Sequence, residues 1–176
     1  MIKNKDILGR KITDLANMVR GEDVKQIFNS TNKQIVQAYA KLLCPVNHGE
    51  LRNSIKTSID MTRDHIKAET FTNKKQAAYV EFGTGPIGQE NHEGVSPDIA
   101  LSYSQHGWGI PADKVDPADA EMYKWPKRIY NGKEYYMTSG QPAQPFMYPA
   151  LKNNEKKVKK TIATKLVKKI HKEVKK

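Results

Sequence analysis

Cys44-Pro45-Val46-Asn47-His48-Gly49-Glu50-Leu51-Arg52-Asn53-Ser54-Ile55 is the stretch at which this chain changes from one kind of structure to another. Proline has no N–H and a fixed φ, so Pro45 stops a helix that reaches it. Gly49 tolerates the backbone of a tight reversal. Leu-Arg-x-Ser-Ile, from Leu51 to Ile55, then opens a strand.

Reading outward from there, the upstream residues are helical. Val24, Ile27, Phe28, Thr31, Ile35, Ala38, Tyr39 and Leu42 share one helical face, and Leu8, Ile12, Leu15, Met18 and Val19 share another that Gly21 can end. Residues 1–44 are therefore expected to hold N-terminal helices. Downstream, Ile55, Thr57 and Ile59 alternate with polar residues up to Met61, and after a turn at Thr62-Arg63-Asp64 a second alternating run covers His65 to Phe71. The Leu51/Ile55/Ile59 spacing fits a helix as well as a strand. A third strand is predicted from Ala77 to Phe82, ending at Gly83-Thr84-Gly85-Pro86, so the sheet is placed at 51–85.

Residues 86–126 read as a long irregular insertion, rich in Gly, Pro, Ser, Asn and Asp, with one short helix capped at Asp116-Pro117 and running to Tyr123. Trp108 and Trp125 lie in or beside it, as anchors that pack the loop or as partner contacts. Residues 127–138 carry a hairpin signal, since Asn131-Gly132 suits a primed turn between aromatic and branched residues. Residues 145–176 form a basic C-terminal helix. The fold class is α+β: N-terminal helices, a small mostly antiparallel sheet with the insertion, and the basic helix, in a single domain over 1–176.

Charge is concentrated at that end. From Lys152 to Lys176 eleven lysines face only Glu155 and Glu173, a balance of +9 out of the chain's +11. Val158, Ile162, Leu166, Ile170 and Val174 recur every four residues among them, with Ala163 and Val167 alongside, so the helix has an apolar stripe between lysines. Such a helix docks by its stripe and leaves a solvated cationic face, or meets a phosphate backbone, an acidic protein or an anionic membrane. The stripe lacks Trp and Phe and winds slowly around the helix, which suits a curved protein surface better than a bilayer. The first residues, Met1 to Asp6, are not followed by an apolar run of signal-peptide length, and no stretch approaches the ~20 apolar residues of a membrane span. A cytosolic protein is expected.

Catalytic patterns are missing. Cys44 is the only cysteine, which excludes an internal disulfide and Cys-rich zinc sites and suits a small buried apolar residue. His48, His65, His92, His106 and His171 are scattered without metal-ligand spacing, and there is no phosphate loop, nucleophile elbow or dinucleotide fingerprint. Neither enzyme activity nor a cofactor or metal is expected. Glu81, in an apolar run, has no second carboxylate or base at a telling distance, so a hydrogen bond or an inter-subunit ion pair is its expected end.

Three strings carry information together: Cys44 to Ile55; Ala78-Tyr79-Val80-Glu81-Phe82-Gly83-Thr84; and Gly140-Gln141-Pro142-Ala143-Gln144-Pro145-Phe146-Met147-Tyr148-Pro149-Ala150-Leu151. In this order and spacing they resemble the small head-tail joining proteins of tailed bacteriophages. The family is the gene-product-ten type of the HK group of lambdoid phages, to which the lambda minor tail protein Z looks related. The resemblance spans roughly residues 5 to 170. The chain departs from the family pattern at Asn47-His48, where an acidic residue and threonine are usual, and in its enlarged 86–126 region.

The resemblance implies a structural virion protein that forms a ring at the neck or head-proximal end of the tail, of six subunits in preference to twelve. It would meet a connector or head-completion protein and tail terminator or tube proteins, with genomic DNA passing through and no membrane involved. Made in the host cytoplasm, it would end in the virion. A small sheet with uncovered edges is suited to pairing with neighbours. Interface candidates are Leu51, Arg52, Ser54 and Ile55; Tyr79, Glu81 and Phe82; Trp108 and Trp125; Phe146; and Ile162 and Leu166. Charged partner-contact candidates are Lys159, Lys160, Lys168 and Lys169. The rival reading is a nonspecific DNA-binding accessory protein that uses the lysine-rich helix.

Overall fold

A computed structural model describes residues 21–62 and 65–175. The helix expected from Leu8 to Val19 lies outside them, as do Arg63 and Asp64. The architecture is α+β, and the described residues form two compact units. One comprises those up to Lys74 together with those from Pro149 on; the other is Lys75–Tyr148.

The first unit begins with a helical stretch in three parts: α1 (Glu22–Asn32), a π-helical segment (Lys33–Gln37) and α2 (Ala38–Leu43). A π turn adds a residue and rephases the apolar stripe. Hence the neighbours Thr31 and Asn32, and then Ile35 and Val36, are both buried, before Ala40 resumes the face. The stretch ends at Cys44, whose extended ψ of 121° leads into Pro45, as the proline requires. Cys44 is buried.

After the turn, Gly49 has φ 78°, and a one-turn helix, α3 (Glu50–Ser54), precedes β1 (Lys56–Met61). This corrects the expected strand start at Leu51. Both spacings in the sequence are real: Leu51 to Ile55 is a helical step of four, and Ile55, Thr57 and Ile59 alternate in the strand that follows. The Ser54 hydroxyl donates to Leu51 O at 2.7 Å and lies 2.5 Å from Thr72 Oγ1, fixing the short helix against the chain leaving β2 (Ile66–Phe71). β1 and β2 pair antiparallel, with Thr57 opposite Thr70 and Ile59 opposite Ala68. That face packs on the helical stretch. Gln37 donates to Ile55 O at 3.0 Å and accepts from the Thr57 hydroxyl at 2.9 Å, while the Asn32 amide donates to Thr70 Oγ1 at 3.1 Å.

The second unit opens with α4 (Gln76–Phe82), where a third strand was expected. Burial explains the difference. Ala77, Val80 and Glu81 are the more covered positions, a helical i, i+3, i+4 set, while Tyr79 is 58% exposed. Phe82 is partly covered as well, but Glu81, between Val80 and Phe82, is the most buried residue of the helix, which the alternation of a strand does not allow. Gly83, at φ 73°, ends the helix and α5 (Gly85–Glu90) follows.

The 86–126 segment contains more regular structure than its composition suggests. β3 (Trp108–Pro111) pairs with β5 (Lys133–Thr138), a 3-10 turn spans Ala112–Lys114, and α6 (Pro117–Met122) starts where Asp116 Oδ1 accepts the Ala118 N–H at 2.9 Å. β4 (Lys127–Tyr130) and β5 form the expected hairpin, with Asn131 at φ 49° and Gly132 at φ 73° in the turn. Positive φ at both central residues is the primed geometry that matches strand twist. The sheet order is β3-β5-β4.

The chain then forms α7 (Met147–Lys152) and α8 (Glu155–Val174). The continuous helix expected over 145–176 is thus interrupted at Asn153-Asn154. Asn154 is buried, and its amide donates to Ala150 O at 3.0 Å.

Candidate functional site

Two of the three informative strings meet within the second unit, and Glu81 is the centre of the contact. Its Oε2 accepts the backbone N–H groups of Phe146 and Met147 at 2.7 and 2.9 Å, and its Oε1 accepts that of Tyr148 at 2.9 Å. The first N–H groups of a helix have no partner inside it. A carboxylate supplied from another segment satisfies them with charge-assisted bonds and is itself stabilised by their dipoles. Glu81 is 6% exposed and Phe146 is fully buried. The hydrogen-bond alternative expected for Glu81 is therefore the one realised, and the carboxylate is engaged within its own chain.

The same crossing is reinforced by backbone contacts. Gln144 N–H donates to Val80 O at 2.8 Å, the Gln141 side-chain amide donates to Tyr79 O at 2.9 Å, and Thr84 and Gln141 exchange N–H···O bonds of 3.0 and 3.1 Å. Gly140, at φ 98°, permits the approach: a Cβ there would stand 1.8 Å from Thr84 O. Trp108 packs against Gly85, where a Cβ would meet the indole at 2.9 Å. Trp125 stacks on Tyr123 with ring centroids 5.3 Å apart. Each tryptophan thus has a contact within the second unit, with Trp108 still 37% exposed.

An open cleft of about 630 Å³ lies beside α5, lined by Gln89, His92, Ile99, Tyr103 and Gln105 among others. Tyr103 donates its hydroxyl to Phe82 O at 2.8 Å, and burial pushes its phenol pKa up. His92 Nδ1 lies 2.6 Å from Gln89 O, and among the described residues no carboxylate lines the cleft. Among the described residues no three His, Cys, Asp or Glu side chains converge to hold a metal ion, and no helix is long and apolar enough to cross a membrane.

In the first unit the basic helix lies along α1. Val158, Ile162, Leu166 and Ile170 are partly covered, whereas Val167 and Val174 are 50% and 65% exposed. Lysines on the covered side are used internally. Lys165 donates to Ser30 Oγ and Thr31 Oγ1, both at 3.1 Å; Lys169 bonds Asp23 at 2.8 Å and Glu173 at 3.4 Å; Lys157 sits 5.4 Å over the Tyr39 ring. The hydrogen bond to Asp23 holds the Lys169 pKa above its ordinary value. Lys159 pairs with Glu155 one turn away. Lys160 and Lys168 point outward. The four charged candidates are therefore two engaged residues and two available ones.

The remaining interface candidates divide in the same way. Ile55 is fully buried and Leu51 is 9% exposed, so with Glu81 and Phe146 they belong to the interiors of their own units. Arg52 and Tyr79 are exposed, and Ser54 and Phe82 are partly covered. An exposed apolar strip that sequence reasoning passed over is Ile129-Tyr130, at 72% and 70% exposure. Its signal was the hairpin itself, whose outer strand β4 pairs with β5 alone among the described residues.

The comparisons with known proteins agree with the three-string reading over part of its extent. Residues 5–83 match the family model described as Bacteriophage HK97-gp10, putative tail-component. The resemblance to the HK97-gp10-like family is thus borne out for the first string and the second as far as Gly83, with the Gly140–Leu151 string beyond the matched stretch. This is a family of structural phage tail components and not of enzymes. No curated protein and no solved structure matches the chain.

Proposed function

We propose that the chain is a structural protein of a tailed phage or prophage particle, placed at the neck or head-proximal end of the tail, where it completes the tail and joins it to the head. The observation that carries this is the match of residues 5–83 to a phage tail-component family. Its work is adhesive: copies form a ring of six in preference to twelve, closed in the way symmetric oligomers close, and DNA passes through the ring. A connector or head-completion protein lies on one side and terminator or tube proteins on the other.

Because Glu81 is bonded within its own chain, the ring contact expected at Tyr79, Glu81 and Phe82 rests on the exposed Tyr79 and the partly covered Phe82. Arg52, Tyr79 and Trp108 remain available at the surface for neighbours. Removing the gene from a phage or prophage that carries it tests the reading. Heads and tails that accumulate unjoined, restored by the gene supplied separately, support it. Normally joined particles without the protein overturn it.

A second reading, nonspecific DNA binding, is favoured by one observation: Lys160 and Lys168 are outward and without an acidic partner among the described residues. Phosphate contact releases counterions, so duplex affinity would fall steeply with salt. A flat salt profile rejects it.

A further inference from the structure

The three-stranded sheet has one blunted edge and one open edge. On the β3 side, the pairs Ile110↔Tyr136 and Trp108↔Thr138 alternate with Gly109↔Met137 and Pro111↔Tyr135. Proline has no N–H to offer, and Pro111 thereby blunts that edge. On the β4 side the phase is set by the two-residue turn after Tyr130 and by the Met137 N–H, which donates to Pro126 O at 2.9 Å. In an antiparallel ladder hydrogen-bonded and non-hydrogen-bonded pairs alternate. Pro126, Arg128 and Tyr130 consequently turn their backbone groups to β5, and Lys127 and Ile129 turn theirs outward. No backbone bond to another segment engages Lys127 or Ile129 among the described residues.

The side chains give this edge a character. Lys127 folds back, bonding Glu134 at 2.6 Å and lying 5.8 Å over the Tyr136 ring. That leaves Ile129 as the exposed apolar contact on its face of the sheet. On the opposite face Arg128, Tyr130 and Lys133 are all exposed, with no acidic partner for Arg128 or Lys133 among the described residues. The edge is therefore apolar on one face and cationic on the other.

We propose that the β4 edge docks an extended, acidic segment of a partner polypeptide as a fourth strand, with a branched apolar side chain beside Ile129 and a carboxylate beside Arg128. Main-chain bonds to Lys127 and Ile129 supply attachment, and the alternating side chains supply selectivity. Charge decides the occupant. A second copy paired antiparallel across this edge and centred on Arg128 would set that guanidinium against its own counterpart, on a chain of net charge +11, and edge cations reject such self-pairing. This proposal is independent of the particle in which the protein works.

The test is a titration of the ¹⁵N-labelled full chain with a blocked six-residue peptide alternating valine and glutamate, followed by amide exchange, with a valine–lysine peptide as control. The glutamate peptide should protect the Lys127 and Ile129 amides, bind more weakly as salt rises, and outbind the lysine peptide. Ile129→Pro removes an outward donor and no ladder bond, so affinity should fall by about tenfold or more, while protection of the Met137 amide reports that the hairpin is intact. Arg128→Glu, an exposed change, should reverse the preference between peptides even if Ile129→Pro disturbs the hairpin. Absence of binding at millimolar glutamate peptide overturns the proposal, as does equal binding of both peptides. Protection on α8 instead of β4, or protection at Lys127 and Ile129 that rises with protein concentration alone, also overturns it, in favour of the lysine helix or a second copy.

Discussion

The carboxylate of Glu81 takes the backbone N–H of Phe146 at 2.7 Å, across 65 positions of sequence. It takes two further N–H groups from Met147 and Tyr148, so one buried side chain holds the start of a helix from a distant segment. Buried donors left without partners cost about 1–3 kcal/mol each, and bonds to charged groups lie at the strong end. Glu81→Ala should therefore destabilise the protein by about 3–5 kcal/mol in urea unfolding, and Glu81→Gln by less, because its one carbonyl still accepts. A loss below about 1 kcal/mol for the alanine variant would show that water replaces the carboxylate.

Gly140 is constrained twice, by its φ of 98° and by Thr84 O lying 1.8 Å from any Cβ. Gly140→Ala should cost about 3 kcal/mol or more, since backbone must separate and the Thr84–Gln141 bonds break. Thermal unfolding gives the measurement, and a soluble variant of unchanged midpoint would contradict the close approach.

The stripe of α8 is partly covered and nowhere fully buried. Ile162→Ala and Leu166→Ala should then cost about 1–2 kcal/mol each, below the range of fully buried sites. Values of 3 kcal/mol or above, measured by urea unfolding, would mean that the stripe is more deeply covered than half.

The ion pair of Lys74 with Glu50, 2.7 Å long, gives a pH dependence with a definite sign. Hydrogen bonding to Lys74 holds the Glu50 pKa below its ordinary 4.5. A carboxyl whose folded pKa is depressed stabilises above its unfolded pKa and loses that contribution as pH falls through the folded value. The stability difference between the parent and Glu50→Gln should be present at pH 6 and vanish in the acid range below 4.5, with high salt shrinking it at pH 6. A difference that grows on acidification would contradict the pairing.

Single and paired replacements of Lys159, Lys160, Lys168 and Lys169 by Gln separate the roles of the lysines. Lys169→Gln alone should lower stability through lost contact with Asp23, and Lys160→Gln and Lys168→Gln should leave folding unchanged. If the outward pair meets an acidic partner or passing DNA, assembly of Lys160→Gln/Lys168→Gln particles should weaken further as salt rises. Normal assembly across salt would leave these lysines as a solvated face.

Local rules were sufficient for much of this chain. The stop at Pro45, the positive-φ turn at Gly49, the Asp116 cap and the Asn131-Gly132 hairpin were all legible, because each depends on residues within a few positions of one another. The alternation at Ile55, Thr57 and Ile59 was legible too, since a two-residue period marks a half-covered strand. Positions 77–82 were not, because the six residues Ala77-Ala78-Tyr79-Val80-Glu81-Phe82 suit strand or helix by propensity alone. The contact that buries Glu81 comes from the distant 146–148 backbone, whose three N–H groups its carboxylate accepts. The lysine helix shows the same division: its stripe and charge follow from spacing. Which lysines are engaged and which remain outward depends on Ser30, Thr31 and Asp23, more than a hundred positions away, brought alongside only when α1 and α8 pack together.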